Sequence, residues 1–227
     1  MVGWWDCNDP SANGVQPANG ASLATLVDKS TSGNDFTQAT GAAQPTFSAS
    51  AKNGKGGILL STTQSMATIN PPNNWTFGTS GRSLVMVFAI TTTISGANHL
   101  ILSQGGGGNG NNTFFGHFNA GGAVMGVDSG GSGGFVTYNS SAITINTFYV
   151  WEYYCASGTL TASTSTINGT AQGATNHSYT GVTVASSALT IGTSGGITLL
   201  EIVACNQLLS NTLQNNLRAY LRGKWAI

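Results

Sequence analysis

The stretch RSLVMVFAITTT, residues 82–93, decides the fold class. It is a long apolar run without helix caps, and its composition suits a strand that is covered on both faces. We therefore predict a central strand of a sheet here. Shorter runs of the same kind follow at intervals of about ten residues, as is typical of a sandwich or barrel. These runs are HLILSQ (99–104), TFFGHFN (113–119), AVMGVD (123–128) and GFVTYN (134–139), and SALTIGTS (187–194) and ITLLEIVACN (197–206) supply the last strands.

The composition is that of one all-β domain. The chain has 227 residues, of which 40% are hydrophobic, and this is enough for one domain with a sizeable core. Its 32 glycines would suggest disorder, but five Trp, nine Phe and six Tyr can anchor packing. The Gly, Asn and Ser clusters are therefore interpreted as turns between short strands. We predict that residues 1–227 form a single domain.

The charge and hydropathy patterns exclude several classes of partner. Only 6% of the residues are charged, and seven basic residues balance seven acidic ones. Such a surface lacks the positive field that binds phosphate backbones, so we expect no nucleic acid partner. No stretch approaches the roughly eighteen apolar residues that span a bilayer, so we expect no membrane insertion. The opening MVGWWDCNDP (1–10) lacks the positive residue and apolar run of a signal peptide, which predicts that the protein stays in the cytoplasm that makes it.

Metal ligands are not arranged in a recognisable pattern. The cysteines are Cys7, Cys155 and Cys205, and the histidines are His99, His117 and His177. An odd number of cysteines without C-x-x-C spacing predicts buried free thiols, and scattered histidines predict no zinc site. Calcium has hard oxygen ligands available in DCND (6–9) and DKSTSGND (28–35). Turn formation explains the same aspartates, and we favour it: they are Asp6, Asp9, Asp28 and Asp35.

The stretch 146–174 predicts two strands joined by a tight hairpin turn at Asn168-Gly169, because this dipeptide tolerates positive φ angles. Alternation along the first strand divides its side chains between two faces that both carry aromatic bulk, so both should be partly covered. One face has Tyr149, Trp151, Tyr153 and Cys155, and the other has Val150, Glu152 and Tyr154.

The last twenty residues, LLSNTLQNNLRAYLRGKWAI (208–227), predict the only convincing helix, over about 210–223. Leu213, Leu217, Tyr220 and Leu221 have the i, i+4, i+7, i+8 spacing of one helix face. A helix this short is marginal alone, so we expect its leucines, Leu213 included, to pack on the domain.

The predicted helix also has its end signals. Ser210 can accept a backbone N–H bond at the start, and Gly223 can close the end. Arg218 and Arg222 lie where the negative end of the helix dipole favours cations.

Segments that bracket the chain carry a family resemblance. They are WWDCND (4–9), LVDKSTSGNDFTQAT (26–40), QPTF (44–47), EIVACNQLLS (201–210) and AYLRGKWAI (219–227). With them the chain resembles the concanavalin A-like, laminin-G-like sandwiches of many bacteriophage virion proteins. The resemblance implies an all-β jelly-roll sandwich of two antiparallel sheets with a short C-terminal helix. The chain departs from the family pattern at Cys205, Leu213 and Ala226, where the family usually has Tyr, an acidic capping-box residue and Gly.

The resemblance also implies a role for the C-terminal segment. In this family the last strand and helix close the sandwich, and the Lys-Trp pair, here Lys224 and Trp225, packs near the beginning of the chain. By this analogy, Trp4 or Trp5 lies close to the C-terminal segment.

Three catalytic patterns are present in form only. GGSGG (130–134) fits G-x-S-x-G, but a strand rather than a helix follows it, so Ser132 is not predicted to be a nucleophile. GGGGNG (105–110) fits G-x-G-x-x-G without the helix that would hold a pyrophosphate. The two glutamates, Glu152 and Glu201, lie on separate strands without the E-x-D-x-E spacing of sandwich glucanases. We therefore predict no catalytic, cofactor-binding or metal-binding residues, and leave a ligand site unassigned.

The resemblance implies a non-catalytic virion protein, either a capsid decoration or a fibre-like accessory subunit. Its partners would be other virion proteins and further copies of itself. The alternative is a carbohydrate-binding tail adhesin with a host glycan as its ligand, for which Tyr138 and Tyr179 lie near loop ends. A glucanase is the third hypothesis.

Overall fold

The computed structural model describes residues 1–69, 73, 81–92, 99–104, 114–118, 124–128, 135–139, 143–156, 163–175, 188–192 and 196–227. Within these ranges one α-helix, α1 (Asn211–Trp225), follows a series of strands, and Gly41–Ala43 forms a short 3-10 turn. The strands are β1 (Gly3–Asp6), β2 (Thr25–Leu26), β3 (Phe36–Thr37), β4 (Thr46–Lys52), β5 (Lys55–Leu60), β6 (Met66–Ala67), β7 (Arg82–Ile90), β8 (His99–Gln104), β9 (Phe114–Phe118), β10 (Val124–Asp128), β11 (Phe135–Asn139), β12 (Phe148–Cys155), β13 (Ser163–Ile167), β14 (Thr170–Ala171), β15 (Gly173–Thr175), β16 (Leu189–Ile191) and β17 (Ile197–Cys205).

The described strands form two antiparallel sheets. The first sheet has the order β14-β13-β12-β7-β17-β5-β4, and β1 also pairs with β17. The second has the order β15-β11-β10-β9-β8-β16-β6-β3-β2. Along one edge of β17, its first half pairs with β5 and its second half with β1. The predicted fold class, two antiparallel sheets with a C-terminal helix, is confirmed.

The strand predicted from residues 82–93 is central in the first sheet. β7 lies between β12 and β17, and all nine of its residues are buried. Its alternate side chains divide between two apolar clusters, as expected for a strand covered on both faces. The other predicted strands are also present, and the GGGGNGNN (105–112) and SGGSGG (129–134) connections lie outside the described residues.

Two apolar clusters lie on opposite faces of the first sheet. The inter-sheet core joins residues of both sheets, among them Met86 and Phe88 of β7 with Phe36 of β3 and Ile191 of β16. The helix-side core lies between the first sheet and α1. It consists of Val85, Val87, Val150, Tyr154, Leu200, Leu221 and Trp225.

The alternation predicted for residues 148–155 is confirmed. Tyr149, Trp151, Tyr153 and Cys155 belong to the inter-sheet core, and Val150 and Tyr154 belong to the helix-side core. The predicted hairpin turn is also present between β13 and β14, where Asn168 has φ 51° and Gly169 has φ 83°.

The start of the helix was predicted correctly and its end was not. The Ser210 hydroxyl accepts a hydrogen bond from the Leu213 N–H at 3.4 Å. Gly223 does not close the helix, which continues to Trp225, and the left-handed residue after it is Ala226, at φ 51° and ψ 58°. Two additional helical residues place Trp225, four residues after Leu221, against the sheet, and burial of this side chain outweighs the low helix propensity of one glycine.

The prediction that Leu213 packs on the domain was wrong, since this side chain is 50% exposed. Leu217, Leu221 and Trp225 form the face that packs on the sheet. Each step of four residues rotates the side chain by about 40° around a helix axis. A buried stripe centred on Leu221 and Trp225 therefore leaves Leu213 outside the contact.

Candidate functional site

Buried charged side chains collect where α1 covers β12 and β17. Glu152 and Glu201 are almost completely buried, and Asp6 is nearly so. Each of them forms an ion pair with a lysine or arginine of α1. Burial of unpaired charge is costly, so this pairing is a condition for the helix to lie where it does.

A β-bulge in β17 turns Glu201 toward the helix. Leu199 and Glu201 pair with consecutive residues of β7, so that Leu200 is the extra residue. Leu199 belongs to the inter-sheet core and Leu200 to the helix-side core, and Glu201 bonds to residues of α1. Strict alternation would have returned Glu201 to the inter-sheet core, and the extra residue prevents this.

The Glu201 carboxylate is surrounded by protein donors. Its Oε1 accepts a hydrogen bond from Trp4 Nε1 at 2.8 Å and one from the Tyr220 hydroxyl at 3.3 Å. Its Oε2 accepts from Trp225 Nε1 at 2.9 Å and from Lys224 Nζ at 2.8 Å. One carboxylate therefore connects β1, β17 and α1. We call these five residues together with Asp6 the Glu201 cluster.

The register of β1 on β17 brings a second carboxylate to the same place. Asp6 and Glu201 are directly opposite in the antiparallel pair, so their side chains lie on the same face. Lys224 Nζ is 2.9 Å from Asp6 Oδ2 and 2.8 Å from Glu201 Oε2. Burial opposes the charged form of this lysine, but the Glu201 and Asp6 carboxylates raise its pKa above the usual value.

A second lysine continues the chain of charges from Asp6. Lys29 Nζ is 3.3 Å from Asp6 Oδ2 and 2.8 Å from Asp9 Oδ2. Burial works against the charge of Lys29, but the Asp9 and Asp6 carboxylates raise the pKa of this lysine. Burial also acts to raise the pKa of Asp9, but Lys29 and the Gly14 and Asn13 N–H groups lower it below its usual value.

Turn formation accounts for the remaining aspartates of the two candidate calcium segments. Asp28 accepts hydrogen bonds from the N–H groups of Trp4, Ser30 and Asn34 at 2.9, 2.8 and 3.0 Å, and from the Ser30 hydroxyl at 2.8 Å. Asp35 Oδ1 accepts the Asp28 N–H at 2.7 Å. No group of His, Cys, Asp or Glu suited to a metal ion occurs in the part of the chain that the structure describes.

Glu152 has a separate clamp on the same face of the sheet. Arg218 of α1 approaches its Oε2 with Nη2 at 2.7 Å and Nε at 2.8 Å. The Tyr154 hydroxyl donates to Oε1 at 3.1 Å, and the Thr166 hydroxyl donates to Oε2. Burial first, and then the neighbouring Glu152 charge, raise the pKa of Tyr154. The glutamate therefore serves as the anchor for the middle of the helix.

The two glutamates of the glucanase hypothesis thus lie beneath α1, Glu152 paired with Arg218 and Glu201 paired with Lys224. A glycosidase needs two carboxyl groups that flank an accessible substrate bond. The other catalytic and ligand candidates, Ser132, His177, Tyr179 and the 105–110 loop, lie outside the described residues. The side chains of His99, His117 and Tyr138 are also outside the described part of the structure.

The expectation that Trp4 or Trp5 meets the C-terminal segment is confirmed for Trp4, which shares the Glu201 carboxylate with Trp225. Trp5 points the other way, into the inter-sheet core, where its Nε1 donates to the Asn34 carbonyl at 2.9 Å.

The predicted state of the cysteines is also confirmed: Cys7, Cys155 and Cys205 are buried thiols that form no disulfide. Burial raises the pKa of the Cys7 thiol, and the Asp6 and Glu201 charges raise it further. A thiol in this environment stays protonated at neutral pH and reacts slowly.

Sequence reasoning placed Lys224 and Trp225 near the N-terminus, but it missed the Asp6–Lys224–Glu201 arrangement and the Arg218–Glu152 pair. One signal for them was available. The chain has only fourteen charged residues, seven of each sign, and within the described residues at least seven of them form ion pairs: Asp6, Asp9, Lys29, Glu152, Glu201, Arg218 and Lys224. No helix in the described ranges is both long enough and apolar enough to cross a bilayer.

No family model and no curated protein matches the chain. Solved structures do match it. The receptor binding domain of botulinum neurotoxin D aligns with a TM-score of 0.65 and 11% identity, covering 89% of this chain and 52% of that one. The Trypanosoma rangeli sialidase in complex with the inhibitor DANA aligns with a TM-score of 0.60 and 13% identity, covering 93% and 31%. The botulinum neurotoxin serotype G binding domain aligns with a TM-score of 0.60 and 9% identity, covering 97% and 51%.

The chain spans 31% of the sialidase and 51–52% of the two toxin domains. Identities of this size show a shared fold and do not show a shared activity, since one fold hosts many functions. The chain therefore shares a β-sandwich fold with these proteins.

Proposed function

We propose that the chain is a non-catalytic structural protein of a bacteriophage virion, a capsid decoration or fibre-like accessory subunit. The observation that carries the proposal is the convergence of the family motifs. Asp6 of WWDCND, Lys29 of LVDKSTSGND, Glu201 of EIVACN and Lys224 of GKWAI meet in one chain of ion pairs. Motif pieces that were coincidental would have no reason to meet, so their contact supports the resemblance on which the virion role rests.

The placement of charge suits docking on other proteins. In the part of the chain that the structure describes, at least seven charged side chains pair with one another, several of them beneath α1. Uncharged polar residues such as Gly, Ser, Thr and Asn dominate the remaining sequence. A surface of this kind offers hydrogen bonds at little cost in charge desolvation. Several copies on a symmetric virion surface would gain avidity, and we therefore propose that the protein assembles as a homo-oligomer.

The test is association with particles. Virions from a lysate in which this chain is produced are banded in a density gradient, washed in high salt and analysed by quantitative mass spectrometry. We expect the chain in the particle band at a fixed ratio to the major capsid protein. Recovery only from the soluble fraction would refute the virion role. Antibody labelling on the head would then support decoration, and labelling at the tail tip would support host recognition.

A carbohydrate-binding adhesin is the second candidate. The observation that favours it is that the matching solved structures include a toxin receptor binding domain and a sialidase in complex with sialic acid, the latter at a TM-score of 0.56. A glycan array separates the candidates, with heat-denatured protein as the control. Selective glycan binding by the folded chain alone would favour the adhesin. No glycan binding, together with co-purification of the chain with virions, would favour the structural role.

The glucanase hypothesis is the third. Its test is the comparison of wild type with Glu152→Gln and Glu201→Gln on β-glucans. The glucanase hypothesis would be supported if the wild type hydrolyses β-glucan and a folded variant with either substitution does not.

A further inference from the structure

Lys224 is held between two buried carboxylates. Its Nζ is 2.9 Å from Asp6 Oδ2 and 2.8 Å from Glu201 Oε2. The side chains of Lys224, Asp6 and Glu201 are 13%, 9% and 0% exposed. Aromatic rings cover the amine, with the Trp225 ring centroid at 4.9 Å and the Tyr220 centroid at 5.7 Å. An amine, a carboxyl group and a second carboxylate are thus fixed in contact at a site largely closed to water.

We propose that Lys224 and Asp6 condense to an intramolecular amide bond, with Glu201 as the proton carrier. Lys224 Nζ gives up a proton through Glu201, which passes it to Asp6, and the neutral amine attacks Asp6 Cγ. The new bond is Nζ–Cγ. The Cγ–Oδ2 bond breaks, and the oxygen leaves as water with the two protons that the ammonium group has lost. Atoms and charge balance without an oxidant, reductant or activated co-reactant.

Three features of the site lower the barrier to this reaction. The fold holds the two reacting groups together, which replaces a bimolecular encounter by an intramolecular one. Glu201 is within hydrogen-bond reach of the proton that must leave. The Asn8 N–H donates to Asp6 Oδ1 at 3.1 Å, where negative charge develops during attack, and Lys29 Nζ donates at 3.3 Å to Oδ2, the oxygen that leaves as water.

The product replaces an ammonium and a carboxylate by a neutral amide, which carries a smaller desolvation penalty. The Glu201 carboxylate keeps its hydrogen bonds from Trp4, Trp225 and Tyr220. Because Glu201 and Asp6 raise the pKa of Lys224 against the effect of burial, the resting state is the ion pair. The reaction starts from the minor neutral form and is therefore slow, proceeding after folding.

The bond would close nearly the whole chain into one covalent loop, from residue 6 to residue 224. A cross-link that spans so many residues restricts the unfolded chain strongly. It would also hold α1 on the sheet in a protein whose three cysteines form no disulfide. The proposal does not depend on the virion role.

The test is the intact mass of the full chain under denaturing conditions, after folding and prolonged incubation at neutral pH. We expect a mass lower than that of the sequence by one water, about 18 Da. Tryptic digestion should give one branched product, in which the peptide of residues 1–29 is joined to residues 223–227 through Asp6 and Lys224.

Two variants make the measurement specific. Lys224→Arg keeps a cation between the carboxylates but cannot form the bond, and should have its full mass. Asp9→Asn removes a carboxylate that pairs with Lys29 rather than with Lys224, and should keep the water deficit. Full mass for the wild type, with a cooperative melt that shows it folded, would overturn the proposal. A branched peptide that joins Lys224 to any residue other than Asp6 would overturn it equally.

Discussion

Replacing Trp225 by alanine should destabilise the protein more than any change on the outer face of α1. Trp225 is fully buried in the helix-side core with Val85, Val87 and Leu221. Emptying a buried tryptophan site costs about 3–5 kcal/mol. For a chain of this size, that loss corresponds to a melting temperature lower by roughly 6–20 °C.

Two further variants separate the contributions to this loss. Trp225→Phe keeps most of the ring volume but removes the N–H donor to Glu201, and a hydrogen bond to a charged group contributes about 1.5–3 kcal/mol. Leu213→Ala changes an exposed leucine of the same helix and should cost less than about 0.5 kcal/mol. Urea unfolding followed by far-UV circular dichroism measures all three. The reasoning is refuted if Trp225→Ala lies within about 1 kcal/mol of wild type, or if Leu213→Ala costs as much.

Three other predictions test the helix end and the ion pairs. Ala226→Gly should raise the free energy of unfolding by about 0.5–1 kcal/mol, because the Ala226 backbone is in the left-handed conformation that glycine adopts at less cost. Gly223→Ala should raise it by about 1 kcal/mol, because residue 223 is helical and an added methyl group would contact no other atom. A loss from either, measured by urea midpoints, would contradict the helix end described above. Glu152→Gln should cost about 2–3 kcal/mol, less than for a fully buried pair because Arg218 is partly exposed, and Arg218→Met in the same chain should recover part of it. Strictly additive losses in this double-mutant cycle would show that the pair does not interact. Burial acts to raise the pKa of Asp9, but Lys29 lowers it below its usual value. The ionised Asp9 carboxylate therefore stabilises the fold above the unfolded pKa of about 4, and this stabilisation is lost as the pH falls through the lower pKa of the folded state. Wild type should thus lose more stability than Asp9→Asn on acidification, and identical stability profiles from pH 6 to pH 2 would argue against the pairing.

The strands could be predicted because apolar runs and period-two alternation are local properties. Residues 82–90 and 148–155 carry these signals in their own letters. The bulge at Leu200 could not be predicted in this way, since alternation assumes one residue per position and a bulge adds one. The prediction of the helix end failed for a related reason. A glycine signal at Gly223 competed with burial of Trp225, and burial depends on contacts with residues more than a hundred positions away.

Only part of the candidate site could be predicted from the sequence, because the residues that contact one another there are distant in the chain. The Lys224–Trp225 pair could be placed near the N-terminus by resemblance, and Trp4 is indeed there. The Arg218–Glu152 pair joins residues that are 66 positions apart and carries no motif. Low charge content was the remaining signal, since a chain with few charges that places one in the middle of an apolar strand must provide it with a partner.

The register of β1 on β17 explains why the Glu201 cluster must contain a lysine. Asp6 and Glu201 are directly opposite each other, and two like charges at such a position repel each other while both lose water. The donors from Trp4 and Trp225 hydrogen-bond to Glu201 but carry no charge. Only a cation between the carboxylates compensates both, and α1 supplies it as Lys224. The N-terminal strand can therefore pair fully with β17 only when the C-terminal helix is in place, so the two ends of the chain close the sandwich together.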